Sequence, residues 1–203
     1  ADESADAASL RLVREKLGLS LPTFHTEQLA TFTNTHRGPG ERELALTYMI
    51  YLPTMPKLVP GYGAQAVDWF AICPDSKGYN LQGHGLTFVG LPETVSAATY
   101  YEDQRPFVTA SGLTADHTLI LRTALLRVRN RLDYAPTILL VLGSEFTLKQ
   151  ARELYAILLR KPLREIDNSN FRKTHVHLFT EIGLAHQHTS GRPAKVYRLK
   201  TGS

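Results

Sequence analysis

Residues 147–160 read TLKQARELYAILLR and residues 168–179 read NSNFRKTHVHLF. In the first stretch Leu148, Ala151, Leu154, Tyr155 and Leu158 recur at three- and four-residue spacing. That is one apolar face of a helix. Thr147 supplies the N-cap and Pro162 follows the end. The second stretch predicts another helix, capped by Asn168 or Ser169 and running to about Phe179. Its apolar positions are Phe171, Val176, Leu178 and Phe179; Asn170, Arg172, Lys173, His175 and His177 are polar. Beyond Gly183 the pattern changes to alternation, with Leu184–His186 and Lys195–Leu199 as candidate paired strands. Between them lies a polar, basic tip, Thr189-Ser190-Gly191-Arg192-Pro193. Helix, turn, helix and hairpin in that order predict a winged helix-turn-helix over residues 144–203.

Charge points to a partner for this region. Residues 144–203 hold 11 Lys/Arg against 5 Asp/Glu, a net of +6, whereas the remaining 143 residues net −2. A basic tail unit on a mildly acidic body suits a polyanion. Asn, Arg, Lys and His on one helix have donors for base edges and phosphates. A basic hairpin tip can enter a minor groove or grip phosphate. A solvated basic face or a protein-docking winged helix is the competing reading. His175, His177, His186 and His188 form i, i+2 pairs, which do not share a helix face. No cysteine joins them, so a metal site is not expected.

Upstream, Ala5–Leu17 predicts a helix with Leu10, Val13 and Leu17 on one side and Gly18 as C-cap. Glu27–Phe32, Leu44–Leu52 and Ala66–Ile72, which holds the single Trp69, read as strands. Residues 74–114 carry scattered glycines and little periodicity, and read as an irregular insertion. Asp116–Asp133 predicts a helix, and Ile138–Leu142 a strand or buried connector. The lone Cys73 forms no internal disulfide, which fits a cytoplasmic protein. No run is apolar enough to span a membrane, and the first residues show no signal-peptide pattern.

The first helix resembles a Nudix box, Gly-x5-Glu-x7-Arg-Glu-U-x-Glu-Glu-x-Gly-U, where U is apolar. With the box glycine on Gly18, Glu3 takes the first glutamate, Arg11 the arginine, Val13 and Leu19 apolar positions, and Glu15 one paired glutamate. Leu12 and Lys16 stand where two further glutamates belong. Such boxes hold Mg²⁺ on clustered carboxylates to activate water on a diphosphate. One carboxylate beside a lysine is a poor magnesium site, so neither catalysis nor a metal cofactor is expected. Glu27–Phe32 with Arg37 and Arg42 resembles the segment after the box in Nudix proteins that handle ADP-ribose. Asp116-His117, Leu132-Asp133-Tyr134, Glu145–Leu148, Asn170–Lys173 and Gly191–Ala194 with Tyr197-Arg198 resemble bacterial Nudix-related transcriptional regulators. Two departures stand out: residues 74–113 and 164–168 look longer than in that family.

The resemblance implies an α/β (α+β) chain in two domains. Residues 1–135 would form a Nudix-like α/β/α sandwich that senses an effector, with residues 116–133 as linker helix. Residues 144–203 would form the winged helix. A Nudix sandwich has strands ahead of the box helix, so Ala1 is not expected to be the natural N-terminus. The implied function is a homodimeric regulator, usually a repressor, of NAD metabolism. Its effector would be ADP-ribose or a related nucleotide or sugar metabolite, and its target double-stranded DNA with a palindromic operator. Asn170, Arg172, Lys173 and His175 would serve the major groove and its phosphates, and Arg192 and Lys195 the wing. Lys149 and Gln150 would meet backbone phosphate at a helix N-terminus. Arg37, Arg42 and Glu15 are the candidate ligand contacts. The alternative is a Nudix hydrolase of ADP-ribose or a nucleoside diphosphate derivative with an accessory winged helix.

Overall fold

The computed structural model describes residues 2–20, 25–37, 41–103, 112–185 and 193–200. The chain divides into two compact units, residues 1–50 with 55–124, and residues 51–54 with 125–203.

The first unit opens with α1 (Ala5–Leu17), whose N-cap Ser4 accepts from the Ala7 amide. At its far end Gly18 is left-handed and closes onto the Arg14 carbonyl. The amides of Val59, Gly61 and Tyr62 then donate to the carbonyls of Leu17, Lys16 and Glu15. A loop thus satisfies the acceptors that every helix C-terminus leaves open. A Cβ at Gly61 would sit 1.8 Å from the Glu15 carbonyl oxygen, so only glycine lets the loop approach this closely.

Strands β1 (His25–Phe32) and β2 (Ala45–Tyr51) form a two-stranded sheet. The expected strand at Ala66–Ile72 is displaced. Strand β3 is Ala71–Pro74, and Trp69 precedes it, its indole N–H donating to the Pro56 carbonyl. Within the stretch expected as an irregular insertion, residues 74–103 are not irregular either. Strands β3, β4 (Tyr79–Gly83) and β5 (Leu86–Phe88) form an antiparallel meander, and α2 (Ala97–Glu102) follows. Asp75 closes the first turn by accepting from the Lys77 and Gly78 amides. His84 and Gly85, at φ 52° and 74°, form the second. Two consecutive positive φ values make the tight hairpin whose twist matches its strands. Helix α3 (His117–Asn130) begins in this unit and continues into the second.

In the second unit, residues Thr137–Leu142 form a 3₁₀ turn rather than a strand. Strand β6 (Phe146–Thr147), helix α4 (Leu148–Leu159), helix α5 (Asn168–His175), strand β7 (Phe179–Leu184) and strand β8 (Lys195–Leu199) follow. The sheet order is β6-β8-β7, antiparallel throughout. Asp167, one residue before the expected cap, accepts from the Asn170 amide and starts α5. The helix also ends earlier than Phe179: Val176–Leu178 tighten into a 3₁₀ turn and Phe179 already belongs to β7. The core is aromatic. Tyr155 meets Phe171 edge-on at 4.9 Å, and Phe146 meets Phe179 at 5.2 Å. Rings in such edge-to-face pairs gain electrostatic attraction beyond the area they bury. Among the described residues no helix is long and apolar enough to cross a membrane.

Candidate nucleic-acid interface

The start of α4, the exposed side of α5 and strand β8 surround an open cleft of about 280 Å³. Lys149, Asn168, Arg172 and Lys195 line it, with Thr147 and Tyr197. Three of the expected contacts therefore meet at one place, although they come from three elements. Thr147 and Gln150 complete a capping box at the α4 N-terminus. The positive end of that helix dipole lies beside the three cations. Lys149 is largely exposed and 3.9 Å from Glu153. Lys195 is held by Glu181 at 2.7 Å across the β7–β8 pair. Arg172 is exposed and its guanidinium has no hydrogen-bond or ion-pair partner among the described residues.

Phe171 and His175, four residues apart, are the buried face of α5. Ser169, Asn170 and Lys173 consequently project from the opposite side, while Asn168 and Arg172 flank the cleft. Arg152 secures this geometry from α4, donating through Nε at 2.8 Å and through Nη2 at 2.5 Å to the Ile166 carbonyl. The connection before α5 is thus tied to α4 at the residue preceding its cap.

Two of the expected DNA contacts have partners inside the protein. His175 does not face outward: its ring is stacked on Phe171 at 4.3 Å and buried, with both nitrogens engaged inside the protein. Gln150 uses its side-chain oxygen on the Thr147 amide, 2.8 Å away, and so caps its own helix. Asn168 and Ser169 were missed as surface residues because the cap was expected on one of them; with Asp167 as cap both are released. Arg192 and most of the wing tip lie outside the described residues.

In the first unit Arg37 likewise has its partner inside the protein. It is buried and donates to both Asp116 oxygens, at 2.7 and 2.9 Å, so its charge is already matched. Tyr101 donates to the same carboxylate at 2.7 Å. Burial raises the Asp116 carboxyl, but the hydrogen bonds from Arg37 and Tyr101 and the Arg37 charge outweigh it and hold it below the ordinary range. Arg42 is exposed. Glu15 accepts from Arg11 at 2.9 Å, and Arg11 also forms a fork on Glu3. The arginine and both surviving glutamates of the box-like helix thus form one surface network.

Residues 138–199 match the family model described as the NrtR DNA-binding winged helix domain. No curated protein matches the chain. Among solved structures, a MutT/nudix family protein from Enterococcus faecalis is similar with a TM-score of 0.82 and 27% identity, over 98% of this chain and 70% of that one. Shewanella oneidensis NrtR complexed with a 27mer DNA is similar with a TM-score of 0.59 and 20% identity, over 98% and 74%. A second Shewanella oneidensis NrtR structure gives 0.55 and 20%. The chain is therefore a mixed helix–strand protein in which a Nudix-like unit is joined to a C-terminal winged helix similar to the NrtR DNA-binding domain.

Proposed function

We propose that the chain is a DNA-binding transcriptional regulator whose Nudix-like unit senses a metabolite and does not catalyse. The convergence of Lys149, Asn168, Arg172 and Lys195 on one open cleft carries the reading. Outward Ser169, Asn170 and Lys173 supply donors for base edges, and the cleft supplies cations and helix-terminal amides for phosphate. A solved relative in complex with DNA supports the same partner.

A sensing role for the other unit is supported by its first helix. Leu12 and Lys16 flank Glu15, and both Glu15 and Glu3 are neutralised by Arg11. ADP-ribose or a related nucleotide or sugar metabolite is the proposed effector, and the protein acts as a homodimeric repressor on a palindromic operator in the cytoplasm. The effector favours a dimer whose winged helices no longer match the two half-sites, and so shifts the population off DNA.

The test is an anisotropy titration of the full chain on a duplex selected from a random library, with and without ADP-ribose, at two salt concentrations. The expected result is specific binding that weakens steeply with salt and is released by ADP-ribose. Specific binding indifferent to ADP-ribose overturns the effector assignment. Absence of binding at low salt overturns the regulator reading.

A further inference from the structure

We propose that Asp133 and His175 form a positioning contact that fixes where α5 sits and thereby sets the discrimination between specific and non-specific DNA. This deepens the DNA-binding reading and rests on it.

Helix α5 has eight residues, of which only Phe171 and His175 are buried. A helix held by ring packing alone can pivot, because packing forces have little directionality. Hydrogen bonds are directional and remove that freedom. The His175 ring lies between Phe171 and Tyr155, 4.3 and 5.1 Å between centroids. Nδ1 is 2.9 Å from the Phe171 carbonyl oxygen, and Nε2 is 3.1 Å from Asp133 Oδ1. Each ring nitrogen thus has a partner, one on α5 itself and one outside it.

The residue before Asp133 is gripped as well. Tyr155, on α4, donates from its hydroxyl to the Leu132 carbonyl at 2.5 Å. Both helices of the helix-turn-helix are thus registered against two consecutive residues, 132 and 133, just beyond the end of α3. The Asp133 side chain is 81% exposed, so its role is not to fill the core. It can be replaced without leaving a cavity.

Position and charge predict opposite signs. Removing the Asp133 carboxylate makes a basic unit more basic, which by itself tightens DNA binding. Loss of the positioning contact weakens binding to the preferred sequence.

The experiment uses the full chain with Asp133→Ala and Asp133→Asn. Affinity is measured on a duplex selected by the wild type and on a scrambled duplex of equal length. Amide hydrogen exchange over residues 168–175 is followed without DNA. Asp133→Ala is expected to bind the selected duplex about tenfold more weakly, the scale of one lost charged hydrogen bond. The scrambled duplex should be bound as tightly or more tightly, and α5 amides should exchange faster. Asp133→Asn keeps an acceptor oxygen and should recover most of the selectivity. Unchanged α5 exchange overturns the proposal, and so does equal weakening on both duplexes. A wild type that does not distinguish the duplexes sinks the DNA reading instead, while α5 exchange still decides the contact.

Discussion

Arg37 and Asp116, 79 residues apart in sequence, meet in a two-pronged ion pair in which the carboxylate is wholly buried. The arginine follows β1 and the aspartate immediately precedes α3, so the pair ties a loop to the start of a helix. Removing one partner strands the other charge away from water, at a cost of about 3–5 kcal/mol. Arg37→Ala should therefore lower the unfolding free energy by that order, read by urea denaturation. Little effect would place the pair among the weakly contributing surface bridges.

The same pair gives a pH dependence of definite sign. Because Asp116 is held below the ordinary carboxylate range, its contribution is fully present above that range and is lost as pH falls through the lowered value. The gap in Tm between wild type and Asp116→Asn should be widest near neutrality and narrow as the solution is acidified. A gap that grows on acidification would contradict the assignment.

Gly61 tests the loop that closes α1. With the Glu15 carbonyl oxygen 1.8 Å from a prospective Cβ, Gly61→Ala must push the loop away and open the amide contacts of residues 59–62. A loss of about 1–3 kcal/mol is expected, the sum of three backbone hydrogen bonds of about 0.5–1.5 kcal/mol each, partly replaced by water. Gly63 provides the control: its added Cβ meets nothing within 4 Å, though its φ of 75° adds local strain. A larger loss at Gly63 than at Gly61 would show that backbone strain, not the helix contact, dominates this loop.

Those features that depend on local pattern were legible in the sequence. Helix α1 and strand β8 fall where periodicity and alternation place them, and Thr147 caps α4 as its side chain demands. The meander was not legible, because strands of four, five and three residues are too short to display a period of two. Its signal was the His84-Gly85 turn, with histidine where asparagine or aspartate usually marks such hairpins. His175 was misread because a polar side chain on a helix looks solvated until its neighbours are known. The spacing from Phe171 was the available clue, since residues four apart share a face. Arg37 was misread for a different reason: its partner lies 79 residues away, and no local pattern reports a long-range ion pair.

The proposed DNA contacts separate into two kinds with different signatures. Lys195 lines the cleft while held by Glu181, and the proposed function assigns the cleft to phosphate rather than base edges. Lys195→Ala should weaken binding nearly uniformly across sequences and reduce the salt slope by about 1. Lys173, on the face of α5 opposite Phe171, is the residue we propose to read bases. Lys173→Ala should cost about 1–3 kcal/mol on the preferred duplex and relax selectivity at one position. Arg172 stands between the two, exposed on α5 yet lining the cleft. Titrating Lys195→Ala, Lys173→Ala and Arg172→Ala on preferred and scrambled duplexes at several salt concentrations assigns each residue to its class. If Lys173→Ala changes only the salt slope, α5 grips the backbone and the sequence is read elsewhere.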